Sequence, residues 1–150
     1  AIDTLDEIVE DVAMQMDAKY IKNWDMNTPE KITSLKPNEI FVFGSNLAGR
    51  HGAGAALLAA KQFGAKRGVG EGITGYCYAL PTKDENIQVL PLREIDCYVV
   101  EFLNYAASHP YLTFLVTKIG CGLAGYSVDE IAPMFRNAPK NVVLPVEFVQ

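Results

Sequence analysis

The sequence predicts an α/β domain, with a mostly parallel sheet, helices on both faces and an extra N-terminal helix. Short, continuous apolar stretches alternate with segments of helical periodicity, as in parallel sheets covered by helices. The length of 150 residues and the 49% hydrophobic content fit one domain with a substantial core. All twelve glycines fall in two stretches, 44–75 and 120–125. Because glycine lets a backbone approach a ligand closely, these stretches indicate two shaped loops.

The N-terminal part of the chain predicts helices. Apolar residues recur at helical spacing over 3–20, with acidic residues opposite, which indicates an amphipathic helix with a solvated acidic face. Thr28 followed by Pro29 is typical of the cap and first turn of a short helix. We therefore assign residues 1–38 to an N-terminal helical extension and residues 39–150 to a ligand-binding domain.

Strands and helices alternate through the rest of the chain. Strands are predicted over 40–43, 76–80 (stopped by Pro81), 112–119 and 141–148, and helices over 54–63 and 92–108, with another opening at the capping-box pattern of Ser127 to Glu130. In the long helix, the expected inward residues are Ile95, Tyr98, Val99, Phe102, Leu103 and Ala106. Ligands of parallel sheets bind outside the carboxyl ends of the strands. Both glycine stretches begin at such ends, so the sequence predicts one site there.

Charge and cysteine content exclude several classes of protein. The net charge is −5, yet residues 44–83 carry five bases and one acid. Overall acidity disfavours nonspecific binding to nucleic acid, and no sequence-specific binding to it is expected; the local basic excess suits an anionic small molecule. Three cysteines without CxxC spacing argue against a disulfide scaffold or a zinc site, and they favour a reducing, cytoplasmic location. We expect no metal, cofactor or membrane span; the oligomeric state stays open.

Two loops carry the functional signal. The first reads Gly44-Ser45-Asn46-Leu47-Ala48-Gly49-Arg50-His51-Gly52-Ala53-Gly54, and the second reads Gly120-Cys121-Gly122-Leu123-Ala124-Gly125-Tyr126. Each joins a predicted strand to a helix start, where backbone amides and the helix dipole bind anions. Neither matches the Rossmann or Walker spacing, which disfavours a nicotinamide oxidoreductase. Together they could hold the two phosphates of a dinucleotide-like ligand; alternatively, each is only a tight connection.

These loops resemble those of macrodomains, α/β domains that bind ADP-ribose and its derivatives. The resemblance covers roughly residues 40–148 and is closest to the branch that removes ADP-ribose from carboxylate or nucleobase acceptors. That branch has a Thr-Lys pair ending a strand and a GCGL loop, which here read Thr82-Lys83 and Gly120 to Leu123. Phage and bacterial proteins of uncharacterised role show a similar pattern.

The resemblance implies roles for individual residues. Asn46 would bond hydroxyls of the distal ribose, which bears the reactive carbon C1″, and Lys83 would be the nucleophile or charge partner there. The implied ligand-binding residues are Gly44, Ser45, Asn46, His51, Gly52, Ala53, Gly54, Gly120, Cys121, Gly122, Leu123, Ala124, Gly125 and Tyr126. From the residues alone, there are alternatives: Asn46 as a turn former, Lys83 as a surface lysine, His51 as a polar residue at the rim, and Cys121 and Tyr126 as packing residues.

The chain departs from the macrodomain pattern at its acidic positions. Ala53 and Ala124 stand where the two hydrolase branches carry an aspartate, and the aspartate that reads adenine has no clear match. The resemblance therefore implies binding of ADP-ribose or a related NAD-derived metabolite and leaves hydrolysis at C1″ open. The alternative is a non-catalytic reader of ADP-ribosylated partners, or a protein that sequesters a signalling nucleotide.

Overall fold

The computed structural model describes residues 26–149, so the helix predicted over 3–20 lies outside the described residues. Five strands form one sheet in the order β2-β3-β1-β4-β5, where β1 is Glu39–Asn46, β2 Gly72–Thr74, β3 Cys77–Lys83, β4 Thr113–Val116 and β5 Val142–Val143. Three of the four pairings are parallel, as predicted. The short β2 pairs antiparallel with β3 and makes the sheet mixed.

Four helices and a 3₁₀ turn complete the described fold. They are α1 (Gly54–Gln62), α2 (Leu92–Ala107), α3 (Val128–Ile131), the 3₁₀ turn Ala132–Phe135 and α4 (Val146–Val149). The predicted capping box opens α3: the Ser127 hydroxyl accepts from the Glu130 amide, and the Glu130 carboxylate accepts from the Ser127 amide. Within residues 26–149, no helix combines the length and the apolar character that crossing a bilayer requires.

Two hydrophobic clusters flank the sheet, because successive side chains of a strand point to opposite faces. Phe41 and Phe43 of β1 pack in one cluster with residues of α1, including Ala59. Ile40 and Val42 lie in the other, with residues of α2 and the 3₁₀ turn. The predicted inward residues of α2 are buried at Ile95, Val99, Phe102 and Ala106, and half-buried at Tyr98 and Leu103.

The short helix predicted from Thr28 is wrong. The Thr28 amide donates to the carbonyl of Leu144 at 2.8 Å, and its hydroxyl donates to the carbonyl of Val143 at 3.0 Å. The amide and hydroxyl of Thr28 are thus hydrogen-bonded to the chain around β5. The segment bends at Glu30 and forms no helical turn. The capping signal at Thr28 was local, whereas the partners that decide the conformation lie more than 100 residues away.

The last predicted strand, 141–148, is also wrong over most of its length. Only Val142–Val143 pairs with β4, and α4 begins at Val146. Pro145 lies between them and has no amide to donate to a strand ladder, whereas its carbonyl accepts from the Phe148 amide at 2.9 Å. Strand β4 is likewise shorter than predicted and ends at Val116.

Strand β3 continues through Pro81, which was predicted to stop it. Strand β2 pairs with β3 only from Cys77 to Ala79, and the next pairing on that side is the bridge between Lys83 and Val89, so Pro81 lies in the gap between the two. A residue without an amide hydrogen is tolerated where a ladder is incomplete. The strand therefore reaches Lys83, and a register shift places Lys83 opposite Asn46 of β1.

A pair of carboxyl groups links the start of β2 to α2 and predicts a pH-dependent stability. A hydrogen bond to Glu101, together with partial burial and the Glu101 charge, raises the pKa of Glu71 to about 7, from an ordinary value of 4.5. The folded state thus holds a proton that the unfolded state releases. This contribution to stability is full below about pH 4.5 and is lost as pH rises through about 7.

Glu71→Gln is therefore expected to stabilise the protein at pH 8, because an amide donates to Glu101 at every pH. The gain should stay below about 1 kcal/mol, since both residues are exposed to solvent. Urea unfolding at pH 5 and pH 8 measures it, with Glu94→Gln on the same helix as the control. An equal effect of Glu71→Gln at both pH values would contradict the shared-proton interpretation.

Candidate functional site

A cleft opens at the carboxyl edge of the sheet. Because β1, β3 and β4 are mutually parallel, their last residues, Asn46, Lys83 and Val116, end at the same edge. The cleft there has a volume of about 830 Å³. Ligand pockets of this kind typically occupy about 300–1,000 Å³. The cleft is therefore large enough for a dinucleotide-sized ligand, and it lies where the sheet topology predicted a site.

Both glycine loops line this cleft. An ideal Cβ built on Gly54 of the first loop lies 3.8 Å from Cδ1 of Leu123 in the second, and one built on Gly44 lies 3.9 Å from the Gly120 amide nitrogen. Of the residues that the sequence singled out, those lining the cleft are Gly44, Ser45, Asn46, Gly52, Ala53, Gly54, Lys83, Gly120, Gly122, Leu123 and Ala124. The structure thus brings the two loops together around one space.

The charged residues that line the cleft are mostly basic. Four of them are cationic, and Glu30 is the single carboxylate among the described lining residues; the cations are Lys31, Arg50, Lys83 and Lys118. One of these, Lys118, forms an exposed salt bridge of 3.2 Å with Glu147. A local excess of positive charge in a protein whose net charge is −5 favours an anionic ligand.

The fold does not require glycine at position 52 or at position 122 of the cleft. A Cβ built on either residue meets no atom within 4 Å, and neither has a left-handed backbone. Gly120 differs, because its φ is +78° and its Cβ would approach Cδ1 of Ile131 at 2.9 Å. Side chains at positions 52 and 122 would therefore fit the fold and project into open space. Their absence leaves the loop backbone accessible, as anion binding by amide groups requires.

The Asn46 side chain closes the first loop on itself. Its Oδ1 accepts from the Arg50 amide at 2.9 Å, and its Nδ2 donates to the Arg50 carbonyl at 2.8 Å. This is the turn-forming role that the residue type allowed. An asparagine amide keeps a second hydrogen and further lone pairs after these two bonds. Asn46 thus sets the loop shape and retains hydrogen-bonding capacity at the cleft.

Lys83 sits at the end of β3, held by paired strands. It lies opposite Asn46 and pairs on its other side with Val89, which returns in a hairpin. The preceding Thr82 is buried, and its hydroxyl donates to the carbonyl of Ser45 at 3.3 Å. Lys83 is half-buried and lines the cleft, so its paired backbone holds it at the edge of the space where a ligand would lie.

Tyr126, Cys121 and Gly125 of the second loop do not line the cleft. The Tyr126 hydroxyl donates to the carbonyl of Leu90 at 2.6 Å, and its ring packs on the α2-side cluster. Cys121 packs on the same cluster, and burial raises the pKa of its thiol. Tyr126 and Cys121 are therefore packing residues that support the loop from behind, whereas Gly125 is exposed.

His51 of the first loop is buried beneath it. Its Nε2 lies 3.0 Å from the carbonyl oxygen of Lys66, and its ring meets Phe43 edge-on with centroids 5.3 Å apart. The rim position considered from the sequence is therefore wrong, since His51 is 8% exposed. It connects the first loop to the 64–70 loop.

Two contributions to the site escaped the sequence analysis. Residues 29–33 form one wall of the cleft, although this segment was assigned to the N-terminal extension. Gly70 supports the base of the first loop: its carbonyl accepts from the Ser45 hydroxyl, and a Cβ there would clash with the Asn46 carbonyl and come within 2.8 Å of that of Leu47. The glycine count pointed to this stretch, but only the close backbone contact identifies which glycine is required.

No metal centre is assigned at the cleft, because no group of three or more His, Cys, Asp or Glu residues within 26–149 could hold an ion. Comparison of the chain with models of protein families, with curated proteins and with solved structures finds no match.

Proposed function

We propose that the protein is macrodomain-like and binds ADP-ribose, or a related NAD-derived metabolite, in this cleft. The observation that carries the proposal is the meeting of two glycine loops around a basic space of about 830 Å³. In the proposed complex, the amides of Gly52 to Gly54 and of Gly122 to Ala124 hold the pyrophosphate. The cations around the cleft supply the long-range attraction for its negative charge.

Two groups of residues that line the cleft differ in chemistry, and from them we propose a direction for the ligand. Ile32, Phe41, Ala56 and Leu58 line it and belong to one hydrophobic cluster, so this section suits a purine ring. Asn46 and Lys83 lie opposite each other at the ends of their strands. We place the adenosine half at the apolar section and the distal ribose near Asn46 and Lys83.

Two activities are compatible with such binding. Lys83 lines the cleft and would serve hydrolysis at C1″ as a nucleophile. Ala53 and Ala124 also line it, and they offer no acid where the macrodomain hydrolases carry one. This second observation favours a non-catalytic reader or a sequestering protein. Binding is common to both, and it is the part that we test first.

Saturating ADP-ribose is expected to raise the melting temperature by about 5–10 °C. A ligand that binds only the folded state stabilises it by about 2.7 kcal/mol at 100 times its Kd. For a domain near this size, each kcal/mol raises the melting temperature by roughly 2–4 °C. AMP should have a smaller effect, since it lacks the second phosphate and the distal ribose. NADH should do no better than ADP-ribose.

Differential scanning fluorimetry with the three ligands at matched concentrations measures these shifts. Inorganic pyrophosphate and sulfate serve as anion controls, because they carry charge without either nucleoside half. A flat response to ADP-ribose together with a clear shift from an unrelated anion would overturn the proposed ligand. Isothermal titration calorimetry with that anion would then measure its affinity for the protein.

A further inference from the structure

A tight hairpin follows Lys83, and the last residue of its loop has an unusual backbone conformation. The Asp84 amide donates to the Gln88 carbonyl at 2.8 Å, and the Ile87 amide donates to the Asp84 carbonyl at 3.1 Å. The Asp84 carboxylate also accepts from the amides of Asn86 and Gln88 at 2.8 and 2.9 Å. The hairpin therefore has a fixed three-residue loop, with Ile87 as its third residue.

Ile87 adopts a left-handed backbone, with φ of +63°. The third residue of such a loop normally has this conformation, which is why glycine and asparagine are common there. An isoleucine in the left-handed region is a genuine outlier, because its branched Cβ crowds the backbone. Glycine or asparagine at position 87 would adopt this backbone conformation with less strain.

Core packing does not explain this isoleucine. Within the described residues, Ile87 packs against neither of the two hydrophobic clusters. Its half-buried side chain instead lines the cleft, four residues after Lys83 on the same hairpin. Backbone strain that brings no gain in packing is expected where a side chain serves binding.

We propose that Ile87 is a specificity-determining residue whose side chain contacts the ligand beyond its pyrophosphate. This inference rests on the proposed function and on the ligand direction given above. The hairpin directly follows Lys83 at the end of β3, where we place the distal ribose. An aliphatic side chain there covers the carbon face of a ribose ring, and it selects ligands that carry a sugar at this end over those that stop at a phosphate.

Ile87→Asn tests this assignment, with Ile87→Gly as a second variant. Both replacements suit a left-handed backbone, so each should keep or raise stability; for Asn we expect a melting temperature about 2–4 °C higher. Each should raise the Kd for ADP-ribose about tenfold, the usual consequence of losing one covered aliphatic side chain. The Kd for AMP should stay within about twofold, because AMP lacks the distal ribose.

Val89→Asn is the matched control, since Val89 lies in the same hairpin, is 42% exposed and does not line the cleft. It should leave both affinities unchanged. Unchanged ADP-ribose affinity in the Ile87 variants, equal losses for ADP-ribose and AMP, or a lowered melting temperature would each overturn the role of Ile87. Failure of the unmodified protein to bind ADP-ribose is a separate result; it would overturn the proposed function and this assignment with it.

Discussion

Gly122→Val is expected to abolish binding of ADP-ribose and to leave the protein folded. Gly122 lines the cleft, and a Cβ built on it meets no protein atom within 4 Å. Because its backbone is not left-handed, valine is accepted there without strain. The added side chain therefore occupies the space proposed for the pyrophosphate and covers the amides that would hold it.

Isothermal titration calorimetry with ADP-ribose, alongside circular dichroism of the variant, measures both halves of this result. Gly122→Ala should give an intermediate affinity, because its side chain reaches less far into the cleft. Ala107→Val adds apolar volume at an exposed position on α2 that does not line the cleft, and this variant should bind as the unmodified protein does. Unchanged affinity in Gly122→Val would place the ligand elsewhere on the molecule.

The sequence predicted the parts of the fold that depend on local periodicity. The buried face of α2 at Ile95, Val99 and Phe102 follows from spacing alone, because a helix of this length repeats its pattern four times. The continuous apolar stretch 40–43 and the glycines that begin at Gly44 likewise predicted a strand ending at a site, although β1 itself runs on to Asn46. The family resemblance of the two loops stays a prediction.

The errors occur where distant partners decide the conformation. Thr28 has the residue type of a helix cap, but its hydrogen bonds go to Val143 and Leu144, which no local pattern reveals. Pro81 was expected to stop β3, yet β2 is too short to need its missing amide. In both cases the prediction used a rule about neighbouring residues in the sequence. The outcome depended on a strand from another part of the chain.

In the candidate site, too, some features follow from the local sequence and others depend on distant contacts. Loop composition identified the glycines that face the cleft, since the backbone there must stay uncovered. It could not separate them from His51 and Tyr126, which lie in the same loops and point into protein. Ile87 gave no signal at all, because its significance lies in a backbone angle and in the absence of packing, which only coordinates provide.

Lys83→Ala is expected to abolish any release of ADP-ribose from modified substrates and to leave the Kd for free ADP-ribose within about threefold. In the lysine mechanism, the amine bonds to C1″ as the acceptor departs, and water then frees the ribose. The lysine acts at one carbon atom, whereas the proposed binding energy comes mainly from the two loops. Loss of the amine should therefore affect turnover far more than affinity.

Lys83→Arg separates nucleophilic from electrostatic action, because arginine keeps the charge but is not a nucleophilic amine. It should be as inactive as Lys83→Ala, while Lys61→Ala, at an exposed position on α1, should retain full turnover. Release is followed on ADP-ribosylated protein, ADP-ribosylated DNA and phosphorylated ADP-ribose. Equal turnover by Lys83→Ala and the unmodified protein would dismiss the lysine mechanism. Absence of turnover by the unmodified protein on all three substrates, with ADP-ribose binding intact, would identify a reader, as the alanines at positions 53 and 124 favour.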